Sequence, residues 1–70
     1  MIRLTSTPLN AYGHLRFTID IDGVTHLTTD DAIAAAKALA DLGVERPLQR
    51  VEHVRAWGVM EIEATRAVDG

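Results

Sequence analysis

Residues 14–21 constrain the fold more than any other stretch of this chain. Leu15, Phe17, Ile19 and Ile21 alternate there with His14, Arg16, Thr18 and Asp20. A helix would throw four residues at that spacing to opposite sides, whereas a strand gathers them on one face. The next two residues, Asp22-Gly23, suit a two-residue hairpin turn, because both central positions of a type I′ turn need φ > 0. Residues 24–28 therefore return antiparallel. A two-residue turn sets Ile21 opposite Val24 and Ile19 opposite His26, which puts His26 on the apolar face and Leu27 on the polar one. A longer loop shifts the pairing by one and buries Leu27 instead. In the first register His26 lies beside Ile19 and is a candidate for a pH response.

Thr29-Asp30-Asp31 reads as a helix start: Thr29 can cap, and the two carboxylates suit the positive end of the helix dipole. The helix is expected to run to about residue 42, with Gly43 in the left-handed position that ends it. Ala32, Ile33, Ala35, Ala36, Leu39, Ala40 and Leu42 form its apolar half, opposite Asp30, Lys37 and Asp41. Ala34 and Ala38 lie four apart on the outer side. They are either plain helix formers or a smooth surface for a second helix in a dimer.

Ahead of the hairpin, Ile2 and Leu4 alternate with Arg3 and Thr5, a short strand that Pro8 ends or holds at a sheet edge. Residues 48–55 are ambiguous. Apolar residues at 48, 51 and 54 fit a helical face, while the valine content and the missing cap fit a strand. Further on, Met60, Ile62 and Ala64 alternate clearly with Glu61, Glu63 and Thr65. The pattern predicts a second hairpin, 49–55 with 58–65, turning near Ala56-Trp57-Gly58; a short helix over 47–56 is the alternative. Residues 66–70 are expected to fray. The expectation is a single α+β domain over residues 1–70, in the order β-β-β-α-β-β. Its antiparallel sheet of two hairpins packs on one helix.

Seventy residues leave room for one domain. That excludes a barrel enzyme or a dinucleotide-binding fold with a separate substrate domain. A core of this size contributes about 3–5 kcal/mol. Ten of the residues are alanine, three are aromatic, and no cysteine offers a disulfide or a thiolate metal ligand. A core this thin favours a partner. The formal charge is −3 and the pI about 5.4, against the strongly basic balance of most nucleic-acid binders. Met1 to Pro8 holds no apolar run of signal-peptide length, and no window approaches a membrane span. The expectation is a soluble, cytoplasmic protein.

No motif identifies a reaction. Asp20, Asp22, Gly23 and Asp31 invite comparison with a calcium loop, which fails at position six, where a glycine is needed and Thr25 stands. His14, His26 and His53 fall in three different elements without zinc-ligand spacing. Glu61 and Glu63 share a strand face that has to be polar in any case. Ser6, the sole serine, has no nucleophile-elbow sequence around it. The glycines sit at element ends, so none forms a phosphate loop. No catalytic residue, cofactor or metal is expected.

One cluster stands out. Arg46, Arg50, His53 and Arg55 precede Trp57, and Arg and Trp are the residues most enriched at binding hot spots. Against this, the arginines can pair with Glu52, Glu61 and Glu63 across a hairpin while Trp57 covers a core edge. Segment 18–45 carries six acidic residues and one lysine, a polarity suited to an electrostatically steered protein partner. The candidate partner-binding residues are Arg50, Arg55, Trp57, Ala34 and Ala38. In size, acidity and element order the chain resembles the small inhibitors that phages carry against host defence, anti-CRISPR proteins among them. The likeness is one of size class, and no residue carries over from it. The leading expectation is thus a non-catalytic protein-interaction module. Rivals are a nucleic-acid-binding accessory protein using the Arg/Trp hairpin, and a homodimer with a ligand or catalytic site at its interface.

Overall fold

The computed structural model describes residues 1–63. Within them the chain runs β1 (Ile2–Pro8), β2 (Leu15–Ile21), β3 (Val24–Thr29), α1 (Ala32–Asp41), α2 (Pro47–Trp57) and β4 (Val59–Ile62). The strands form one antiparallel sheet in the order β3-β2-β1-β4, with both helices on one face. The α+β class and the single sheet are as expected. The frayed tail and the last two positions of the second alternating strand lie outside the described residues.

The hairpin forms as its residues dictate. Asp22 and Gly23 take φ of 51° and 86°, the positive pair that a type I′ turn needs. Ile21 pairs with Val24 and Asp20 with Thr25, yet Ile19 pairs with Leu27. A β-bulge at His26 absorbs one residue. The turn therefore keeps its two residues and Leu27 still faces the core. The expected pairing of Ile19 with His26 is corrected: His26 is exposed. Leaving an imidazole in water and burying leucine is the cheaper arrangement.

The first strand is neither short nor at an edge. It runs seven residues in the centre of the sheet, paired with β2 on one side and β4 on the other. Pro8 is accommodated by register. Leu9 N–H donates to the His14 carbonyl and Asp22 N–H to the Met1 carbonyl, so odd positions of β1 bond to β2 and even positions point towards β4. The described part of β4 begins at Val59, opposite Thr5. The missing N–H of Pro8 thus faces the side where no strand lies alongside it.

Helix α1 starts two residues later than Thr29 would cap. Asp31 is the N-cap, its Oδ1 accepting from Ile33 N–H at 2.9 Å, and Thr29 Oγ1 accepts from Asp31 N–H at 3.1 Å. The helix end is as expected. Gly43 adopts φ of 86° and donates to the Ala40 carbonyl, while Val44 N–H donates to Leu39. These are the paired bonds of a Schellman motif, sealed by burial of Leu39 and Val44 in the same cluster.

The second hairpin is the main correction. Residues 47–57 are helical, the alternative that the apolar spacing at 48, 51 and 54 allowed, so Ala56 and Trp57 belong to a helix and not to a hairpin turn; of the expected hairpin only the strand after Gly58 stands. Val51 and Val54 are both wholly buried. Three residues apart they share one helical face, whereas on a strand they would point to opposite faces. Pro47 occupies the first helical turn, where its missing N–H costs nothing. Burial of the two valines outweighs their modest preference for strands.

The core is Ile2, Leu4, Phe17, Ile19 and Ile62 from the sheet, Ala35, Ala36, Leu39, Val51 and Val54 from the helices, and Val44 between them. Helix α1 packs principally on α2. Of the expected apolar half, Ala32, Ala35, Ala36, Leu39 and Leu42 lie in or against the core, while Ala40 is exposed. Ala38 packs against the core, and Ile33 is left 63% exposed.

Candidate functional site

Helix α2 and strand β4 meet at Gly58, and this corner holds the largest exposed aromatic ring of the chain, second in exposure to Tyr12. Trp57, the last helical residue, is 73% exposed, and Val59, the first of β4, is 50% exposed. The corner is pinned from beneath. Val54 carbonyl accepts from Gly58 N–H at 2.7 Å and from the Ser6 hydroxyl at 2.8 Å, and Ser6 N–H donates to the Gly58 carbonyl at 2.9 Å. The sole serine of the chain thus holds a helix end. Trp57 projects from a fixed support.

Helical spacing sorts the cationic residues of α2. Arg50, His53 and Trp57 lie within about 60° of one another around the axis, while Arg55 lies about 140° from Arg50. The predicted set Arg50, Arg55 and Trp57 is therefore divided between two flanks. On the first flank, the His53 and Trp57 rings approach with centroids 6.2 Å apart, tilted by 33°. Arg50 Nε donates to the Glu45 carbonyl at 3.2 Å. Arg46, Gln49, Arg50 and His53 line one side of a groove of about 250 Å³ whose other wall includes Met60 of β4.

Arg55, on the other flank, lies 3.8 Å from Glu52, one helical turn back. It borders a cleft of about 420 Å³ that it shares with Asn10, His14, Asp30 and, on the floor, Leu15 and Phe17. Asn10 Nδ2 and His14 Nδ1 are 3.0 Å apart across its rim. The expected cross-hairpin pairing of the arginines is replaced. Glu61 pairs instead with Arg3 of the neighbouring strand, at 2.6 Å. That hydrogen bond, the charge of Glu61 and, more weakly, Asp20 hold the Arg3 guanidinium above its ordinary range, against a small desolvation.

Ala34 and Ala38 do not form an outer pair. Both are half-buried, and Ala38 packs on the core. The helix that packs on α1 is α2 of the same chain. The face of the sheet away from the helices carries Arg3, Thr5, Arg16, Thr18, Asp20, Val59 and Glu61, with Asp20 accepting from the Thr25 hydroxyl at 2.9 Å. Among the described residues, no group of three His, Asp or Glu is placed to hold a metal, and no helix is long and apolar enough to cross a membrane.

Sequence reasoning singled out Trp57, Arg46, Arg50 and His53, and missed Val59. The signal was present: Val59 shares the parity of Glu61 and Glu63, so the alternation that buries Met60 and Ile62 leaves this valine in water. No family model, curated protein or solved structure matches the chain.

Proposed function

We propose that this protein is a small, non-catalytic interaction module of the cytoplasm that binds another protein through the corner where α2 meets β4. One observation carries the reading: Trp57 stands 73% exposed on a pinned corner, next to the half-exposed Val59. An indole removed from water at a protein interface contributes about 2 kcal/mol or more. The flanking Arg46, Arg50 and His53 add the residue types that steer and orient a partner.

Two groups weighed for catalysis, the sole serine and Glu61, are engaged in holding the fold. Ser6 donates to a helix carbonyl and Glu61 is paired with Arg3. Affinity capture from host cells with the parent and Trp57→Ala tests the reading. The parent retains a specific partner that the variant loses; equal retention by both places binding elsewhere. A second reading, single-stranded nucleic acid, is favoured by the alignment of Trp57 and His53 with Arg50, since bases stack on such rings. It requires that retention fall steeply with added salt.

A further inference from the structure

We propose that the groove between α2 and β4 receives an extended, acidic segment of the partner, added to the sheet as a fifth strand alongside β4. This rests on the reading of the α2–β4 corner given above and names the chemistry of what it binds.

The backbone is arranged for such an addition. Ser6 N–H donates to the Gly58 carbonyl, and the β1–β4 register continues through Leu4 with Met60 to Ile2 with Ile62. Hydrogen-bonded pairs alternate along an antiparallel ladder, so Met60 and Ile62 turn their peptide groups towards β1. Val59 and Glu61 turn theirs outwards. Among the described residues no strand lies on that side. An extended peptide meets two N–H and two C=O groups there, the main-chain half of strand addition.

The side chains supply the selectivity. An added strand presents alternate residues to the two faces of the sheet. On the helix face its side chains enter the groove beside Met60, under Arg46, Arg50 and His53. Among the described residues neither Arg46 nor Arg50 has a carboxylate within ion-pair distance. Arg46 is moreover held at φ of 54° and ψ of 54°, a left-handed conformation unfavourable for a side chain that bears a Cβ. Strain retained at a groove mouth fits a functional position. On the open face the added residues meet the half-exposed Val59 and the mutually neutralised Glu61–Arg3 pair, which suits an apolar residue. The matching segment carries acidic residues at every second position, with apolar residues between.

Trp57 is the only tryptophan, so its emission reports on the corner directly. The test titrates the whole protein with three short peptides. The first alternates glutamate with valine, the second has the same composition with its glutamates consecutive, and the third is the first with alternate amides N-methylated. The first peptide is expected to shift the Trp57 emission saturably, with binding weakened about tenfold in Arg50→Glu. The other two are expected to bind far more weakly. Equal binding by the N-methylated peptide overturns strand addition, and so does preference for an oligothymidylate. Displacement of the peptide by concentration-dependent self-association overturns the choice of occupant. If no peptide binds while partner capture still depends on Trp57, the strand inference falls and the interaction module stands. Loss of that dependence removes the α2–β4 corner as the binding surface, and the strand inference with it.

Discussion

At the residue scale, exposure separates what a side chain does for the fold from what it offers a partner. Trp57 contributes little to the core, so Trp57→Ala is expected to leave unfolding stability within about 0.5 kcal/mol of the parent. Urea denaturation followed by circular dichroism checks this, and partner capture is lost in the same variant. Arg46 gives the complementary case. Its left-handed backbone is natural for glycine, so Arg46→Gly relieves strain while adding unfolded-state freedom, two opposing terms of about 1 kcal/mol each. Stability is expected to change little and binding of the acidic peptide to weaken. A large destabilisation would instead mean that the Arg46 side chain supports the fold. The lone tryptophan and the arginine cluster were legible in the chain from the start. Which arginines accompany Trp57 was not, because a strand and a helix distribute positions 50, 55 and 57 differently.

At the scale of elements, the first hairpin and α1 follow from local chemistry, while α2 does not. Asp22-Gly23 and Gly43 each adopt the backbone that their residue types favour, and no distant contact is needed to explain them. Residues 48–55 carry both a three-residue apolar spacing and β-branched valines, and packing on α1 and β1 decides between them. The bulge at His26 is intermediate in kind. The conflict between turn length and burial was visible in the residues, and the sheet resolves it by inserting one unpaired position. Strand β4 yields a prediction that belongs to this scale. Glu61 N–H points to the open edge, so Glu61→Pro is expected to keep the sheet signal in circular dichroism while abolishing peptide binding. Met60 N–H bonds to β1, and Met60→Pro should unfold the chain by removing a ladder bond. Equal damage from the two substitutions would refute the register argument.

At the scale of the whole molecule, the core is thin and helix-capped. Phe17 is the sole phenylalanine and is 2% exposed. Phe17→Ala is expected to cost about 3–5 kcal/mol, comparable to the entire stability of a domain this small. The variant should therefore be largely unfolded at room temperature, as read by loss of the native circular dichroism signal. A cooperative melt near that of the parent would show that the core is larger than these residues. The alanine-rich side of α1 looked in the sequence like a deficit for a second copy to fill. The second layer is instead supplied by α2, which packs on α1, while Ala38 packs on the core and Ile33 stays outside.

What the sequence determined by itself is whatever depends on neighbours along the chain: the β2–β3 hairpin and its turn, the Schellman end of α1, the inward parity of Met60 and Ile62, and the α+β class. Each is specified by backbone preference or by a periodicity within one element. Only the tertiary structure decided that residues 47–57 are a helix, that β1 is central, and that the cationic residues and Trp57 divide between a groove and a cleft. Those outcomes depend on which apolar surfaces meet. Burial of Val51 and Val54 exceeds any local propensity at those positions, and the benefit exists only once the sheet is there to receive them.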